Sequence, residues 1–246
     1  MNVYKNYAFD FNDVYANEDI ASDLTCMDCS QITGSRLFCS QEAEQKLKKL
    51  IHQQGIHGIH FLDSGDYHYI TKLMCDEVKE PFELVVFDHH SDMKPPLFKG
   101  TLSCGDWLAQ CINDNQFLQQ VTLEGPSDIQ VIKEMKSQKV HYINEQSIGQ
   151  ANLGQINQQL PVYLSIDKDL LTDKVVKTNW DQGNVSLEQL KKALSSILAN
   201  RSIIGVDICG NLNTAFFTPQ ALKAKQLNQD SDVVLYQFIH HQLETA

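Results

Sequence analysis

Short apolar runs alternate along this chain with longer stretches in which apolar positions recur at helical spacing. The spacing predicts a helix over 42–53, where Leu47, Leu50 and Ile51 share a face and Gly55 follows the end. Residues 56–62 read as a strand, 67–78 as a helix, 82–87 as a strand and 104–112 as a helix. A further segment over 119–123, a helix over 128–136 and a strand over 140–143 follow. Residues 161–166 form a predicted strand, Ser186 opens a helix through Leu198, and 203–208 form another strand. The last helix starts at Thr218-Pro219, where Thr caps and Pro takes the first position, with a break expected over 228–232 before it resumes to His241. This alternation predicts an α/β fold with three α/β/α layers and a mainly parallel sheet. No long linker, low-complexity segment or internal repeat divides the chain, so a single domain over 1–246 is expected.

Two acidic clusters stand where strands end. Asp88-His89-His90-Ser91-Asp92 follows the run Leu84-Val85-Val86-Phe87, and Asp167-Lys168-Asp169 follows Val162-Tyr163-Leu164-Ser165-Ile166. In extended backbone alternate residues share a side, so Asp88, His90 and Asp92 converge, as do Asp167 and Asp169. His68 follows a third strand. Open α/β sheets bind ligands outside the carboxyl ends of their strands. Four carboxylates in one crevice repel one another unless cations join them. Two imidazoles among oxygen donors suit Mn²⁺, with Zn²⁺, Fe²⁺ and Co²⁺ as alternatives. Six ligands suffice for two ions when carboxylates bridge, and such a pair acidifies a water near neutral pH.

Composition narrows the partners. Apolar residues make up 42% of the 246, charged residues 21%, and the formal net charge is −11. That acidity argues against nucleic acid and anionic membrane as partners. No apolar run reaches the length of a membrane span, and residues 1–7 lack the apolar core of a signal peptide. Seven cysteines, an odd number, read as reduced thiols in the cytoplasm. Cys26 and Cys29, with Cys39, lack a fourth ligand at zinc-finger spacing and read as free thiols.

Gly65-Asp66-Tyr67-His68, then Asp88-His89-His90-Ser91-Asp92, then Ser165-Ile166-Asp167-Lys168-Asp169 resemble the segments of the arginase/agmatinase (ureohydrolase) family, within the arginase–deacetylase superfold. The resemblance covers roughly 58–208. It implies two manganese ions per chain. One would bind His68, Asp88, Asp92 and Asp167; the other would bind Asp88, His90, Asp167 and Asp169. Asp92 would also orient a metal-bridging hydroxide and act as the catalytic proton carrier. The resemblance further implies a hydrolase acting on the linear C–N bond of a guanidino or amidino compound, and it allows a homo-oligomer.

The chain departs from the family around the substrate. Gly210, in Asp207-Ile208-Cys209-Gly210-Asn211, stands where the family carries the Glu that grips an amidinium, and no His lies in 100–107 to shuttle protons. A glutamate installed at Gly210 is expected to leave the metals undisturbed. Asn179, Trp180 and Asp181 are candidate rim residues, Trp180 by stacking on a planar cation and Asp181 by pairing with it. Cys104 is a further candidate to touch substrate; a nucleophilic role would need a His base, for which His89 is the candidate close in sequence. Arg36 could meet a substrate carboxylate. His52, His57 and His60 are expected on helix and strand surfaces, and His240-His241 on a solvated helix face. Three readings therefore stand: guanidino or amidino hydrolysis; amide hydrolysis or attack on an arginine inside a peptide; and a non-catalytic metal-binding scaffold.

Overall fold

The computed structural model describes residues 5–15, 20, 23–98, 100–150, 159–214 and 218–245. Ten strands and six α-helices follow in chain order: β1 (Tyr7–Asp10), β2 (Thr25–Asp28), β3 (Phe38–Cys39), α1 (Gln41–Gln54), β4 (Ile59–Phe61), α2 (Ile70–Cys75), β5 (Phe82–Phe87), β6 (Leu102–Ser103), α3 (Trp107–Asp114), β7 (Leu118–Glu124), α4 (Ile129–Met135), β8 (Val140–Ile143), β9 (Val162–Asp167), α5 (Leu187–Leu198), β10 (Ile203–Cys209) and α6 (Pro219–Thr245). Eight strands form one sheet in the order β2-β1-β4-β10-β9-β5-β7-β8. Every pairing in it is parallel. β3 and β6 make a separate antiparallel pair.

Parallel strands buried on both faces read as near-continuous apolar runs, and β5, apolar at every position but Glu83, shows it. Leu84 and Val86 join the core with α1, α2 and α3, whereas Val85 and Phe87 join the core with α5 and α6. The period of two thus builds two cores on opposite faces of one sheet. Local signals agree with the tertiary plan. Ser186 caps α5 in a reciprocal capping box with Gln189, and Ser40 accepts from Ala43 N at the start of α1.

The differences from the expected elements have physical causes. The helix expected over 67–78 is a 3₁₀ turn, Gly65–Tyr67, followed by the shorter α2. β1 and β2 carry no element in the sequence reading, being four residues each. α6 runs unbroken through 228–232. Its Asn228, Ser231 and Asp232 are buried, and they bond inward rather than to solvent. The Asn228 side chain accepts from Lys177 N and donates to Lys177 O, while Asp232 accepts from Lys168 Nζ. Polar residues that look like a helix break are here its docking points. His60 is also corrected: it is fully buried, with Nδ1 2.9 Å from Asp207 Oδ1. No helix among the described residues is long and apolar enough to cross a membrane.

β4 and β5 are neighbours in sequence but lie on either side of the β10–β9 pair. Their carboxyl ends, with those of β9 and β10, frame one crevice, as expected where strand order reverses.

Candidate metal centre and substrate cleft

Four strand ends supply the side chains. After β4 the chain turns sharply at Asp63, whose φ is +67°. The Asp63 carboxylate accepts from Phe11 N, Asn12 N, Asn12 Nδ2 and Ser64 N, and its carbonyl accepts from Gly210 N and Asn211 N. Burial pushes its pKa up to about 7 despite those bonds. This buried aspartate therefore ties the ends of β1, β4 and β10 together, the first two through its carboxylate and the last through its carbonyl. The turn Gly65–Tyr67 then delivers His68 into the crevice.

His68 is buried, with Nε2 2.8 Å from Ser165 Oγ. Its Nδ1 faces three carboxylates: Asp92 Oδ2 at 3.1 Å, Asp88 Oδ2 at 3.2 Å and Asp167 Oδ2 at 3.5 Å. His90 Nδ1 lies 2.8 Å from Asp169 Oδ2 and 3.8 Å from Asp88 Oδ1. The structure thus brings all six sequence-identified side chains together. Two groups of potential ligands result, His68/Asp88/Asp92 and Asp88/His90/Asp169, with ligand atoms in each within 4.8 Å of one another. Asp88 belongs to both.

The donor set fits cations. His68 Nδ1 and Asp88 Oδ2 are buried without a hydrogen-bond partner. A buried polar atom is costly unless paired, and a divalent ion would pair both. The electrostatics agree. Burial, then the charges of Asp169 and Asp92, push Asp88 well above the ordinary carboxylate range, while burial and Asp169 raise Asp167 to about 6. Burial alone would lower His90, but Asp169 outweighs it and carries His90 up to about 9. Protons are doing what cations would do.

Asp92 sits at φ +50°, a left-handed conformation that costs a non-glycine residue energy. Trp107 Nε1 donates to its Oδ2 at 2.6 Å, fixing the carboxylate. The Trp107 and His68 rings are 4.7 Å apart. Sequence reasoning missed this tryptophan, although it stands in the Cys104-to-Trp107 stretch examined for a histidine.

A cleft above the carboxylates is lined by Asp88, His90, Asp92, Asp167 and Asp169, with Gly65, Lys94, Cys104, Gly105 and Trp180 around them. Trp180 is 37% exposed and its Nε1 donates to Asp66 Oδ1, while Arg36 Nε holds Asp66 Oδ2 at 2.9 Å. Arg36 is thus anchored behind the Trp180 wall. Asp181 is exposed and is not among the lining residues. Asn179 exchanges hydrogen bonds with the Asn213 backbone and so clamps the loop. Burial pushes the Cys104 thiol up to about 12, which disfavours a thiolate nucleophile. Lys94 was missed because Met93-Lys94-Pro95-Pro96 reads as a solvated loop.

Gly210 corrects the expectation placed on it. Its φ is +98°, and a Cβ there would lie 2.5 Å from Asp167 Oδ1 and 2.8 Å from Lys168 N. A glutamate would displace a candidate ligand. Cys26, Cys29 and Cys39 form no metal-ligand group among the described residues, and none of the seven cysteines is in a disulfide.

The sequence model of the Arginase family matches residues 6–213. The chain belongs to the arginase family. An uncharacterized protein of Thermotoga maritima is 30% identical over 205 residues, 83% of this chain and 78% of that one. Among solved structures, formimidoylglutamase from Bacillus subtilis superposes with a TM-score of 0.59 at 16% identity, over 82% of this chain and 66% of that one. The chain thus spans slightly less than two thirds of that enzyme. Trypanosoma cruzi formiminoglutamase with Mn²⁺ superposes with a TM-score of 0.62 at 14% identity, over 93% of this chain and 79% of the other. At these identities the structural likeness is one of fold.

Proposed function

We propose that this arginase-family chain is a two-metal hydrolase that cleaves the linear C–N bond of a guanidino or amidino group. The observation that carries the reading is the convergence of His68, Asp88, His90, Asp92, Asp167 and Asp169 around buried, unpartnered His68 Nδ1 and Asp88 Oδ2. His68, Asp88, Asp92 and Asp167 would hold one divalent ion, and Asp88, His90, Asp167 and Asp169 the other. The second set, three carboxylates and one imidazole, suits Mn²⁺. When bound, such a pair supplies an acidified water and stabilises developing negative charge.

The chain's own residues do the rest. Ser165 fixes the His68 ring through Nε2, leaving Nδ1 to face the carboxylates. Trp107 holds Asp92 Oδ2 in place, and Asp92 is the group that carries the proton to the leaving amine. Trp180 presents an aromatic wall on which a planar cation can stack. Lys94 is the one lysine or arginine among the lining residues and would pair with an acidic part of the substrate. Seven cysteines with no disulfide among them support a cytoplasmic setting.

An arginine carried by a peptide is the second reading. Leu97 and Phe98 are 77% and 62% exposed, three and four residues beyond Lys94. That apolar loop tip could seat a chain flanking the side chain under attack.

The test is a screen of manganese-reconstituted protein against free guanidines, amidines and arginine peptides, reading urea, ammonia and the released amine. Acylated amines, read by released carboxylic acid, form the control set. Turnover of the first group supports the proposal. Release of acid alone, or two bound metals with no turnover in either set, overturns it.

A further inference from the structure

Cys209 ends β10, inside an apolar run where a cysteine reads as an ordinary small core residue. Its neighbours are not ordinary. In the sheet register Cys209 pairs with Asp167 on β9, so the two side chains share a face. Cys209 Sγ lies 3.2 Å from Asp167 Oδ2, the oxygen that faces His68 Nδ1 at 3.5 Å. His68, Asp167 and Cys209 form a third group whose potential ligand atoms lie within 4.8 Å of one another. Independently, His68 Nδ1 is buried, has no hydrogen-bond partner and points into this group. Gly210 shapes the same corner: its missing Cβ leaves room for Asp167 Oδ1, while the thiol covers Oδ2.

We propose that Cys209 is a seventh metal ligand, adding a thiolate sulfur at the ion position next to His68. This inference rests on the two-metal reading and refines it. A sulfur donor makes that position select thiophilic Zn²⁺, Co²⁺ or Fe²⁺ over Mn²⁺, while the Asp88/His90/Asp169 position, with oxygen and nitrogen donors alone, keeps its preference for Mn²⁺. The two positions therefore differ in the metal they favour. Coordination replaces the S–H proton by the cation and releases that proton to solvent through the cleft; no electron is transferred. The hydrogen bond from Sγ to Asp167 Oδ2 is given up in the same step, freeing that oxygen for the ion.

Cobalt distinguishes this proposal from the reading beneath it. Full-length metal-free protein is titrated with Co²⁺, and bound metal is counted by elemental analysis. A thiolate bound to cobalt gives a ligand-to-metal charge-transfer band in the near ultraviolet, which oxygen and nitrogen ligands do not. Two bound cobalt ions with that band are expected in the wild type. The band should vanish in Cys209→Ser, which is close to cysteine in size, and in Cys209→Ala, which offers no donor, and should persist in Cys104→Ser, at the cysteine that lines the cleft. Zinc affinity, measured by competition with a chelating dye, should fall roughly tenfold or more in Cys209→Ala, with manganese affinity moving far less. Two cobalt ions without the band in the wild type overturn the role of Cys209 and leave the two-metal reading intact. A band lost in Cys104→Ser but kept in Cys209→Ala overturns it equally. Failure of the wild type to bind cobalt, zinc or manganese overturns both.

Discussion

The tripeptide Asp167-Lys168-Asp169 sends buried charge in two directions, and the two destinations are built differently. Asp167 and Asp169 point into the crevice, where carboxylates outnumber the groups that could balance them and two ligand-type atoms, His68 Nδ1 and Asp88 Oδ2, lack partners. Lys168 is fully buried on the other side, where its ammonium donates to Asp232, to Asn211 Oδ1 at 2.7 Å and to Ser231 Oγ at 3.5 Å. Asn211 Nδ2 in turn donates to Asp232 Oδ2 at 2.9 Å. One cluster is complete in itself; the other is short of positive charge. A buried polar network that closes on itself holds elements together, here α6 to the ends of β9 and β10. One that stays open marks where something from outside must bind.

The sharpest way to break this contrast is Asp167→Asn. Asp167 is shared by both proposed ion positions, so the variant should lose metal, from two ions to fewer than one by elemental analysis, and its hydrolytic activity should fall to background. Retention of full activity would remove the open cluster from the chemistry. Chelation of the wild type comes next. Each ion at a hundredfold excess over its Kd stabilises the folded state by about 2.7 kcal/mol. For a chain of this size two ions correspond to a Tm shift on the order of 10 °C or more. Coincident melting curves with and without chelator would argue that the cluster holds nothing.

The closed cluster gives the opposite pattern. Lys168→Met leaves Asp232 buried without its cation and should destabilise the protein by roughly 3–5 kcal/mol, measured by urea unfolding, while the folded variant still binds two ions. Adding Asp232→Leu should recover much of the loss. Loss of metal from folded Lys168→Met would show that the two clusters are not separable.

A smaller effect, on the order of 3 kcal/mol, is expected from the titration of Asp167. Asp167 titrates near 6 in the folded, metal-free protein, above the ordinary 3.8 of an aspartate, because burial and Asp169 disfavour its charge. A carboxyl whose folded pKa is raised contributes stability below the unfolded value, and that contribution is lost as pH climbs through the folded one. Metal-free protein should therefore lose stability between about pH 4 and 6, more steeply than Asp167→Asn. Saturating Mn²⁺ should reverse the slope, since ions bind the deprotonated ligands. The smallest effect belongs to Trp180→Ala: stacking on a cation contributes about 0.5–2 kcal/mol, so kcat/KM should fall about two- to thirtyfold with metal content unchanged.

The open cluster was the most legible part of the sequence. Carboxylates placed directly after apolar strands have few structural explanations, so Asp88, His90, Asp92, Asp167 and Asp169 stood out, with His68 after a third strand. The closed cluster was hidden for a related reason. Lys168 between two aspartates reads as a surface lysine, and Asn228, Ser231 and Asp232 read as a helix break. Only their partners, more than forty residues away in sequence, make them interior. His60 failed likewise, because its partner Asp207 lies on another strand. Cys209 was invisible because a cysteine in a buried strand is chemically silent until its neighbour on the next strand is known. The sheet itself was read correctly as α/β with parallel strands, since β5, β9 and β10 are mostly apolar and alternate with helical stretches.

The place of β10 has a consequence for how the molecule is made. It is the last of the sheet's eight strands in the chain, yet it lies between β4 and β9 near the centre of the sheet. Until residues 203–209 are available, β4 and β9 each present an unpaired edge, and exposed edges invite pairing with other chains. The nascent protein therefore cannot close its sheet, or bring Gly210 and Asn211 against Asp63, before most of it has been synthesised. Assembly of the fold and of its site waits for β10, and fragments ending before it should aggregate rather than form a smaller, functional domain.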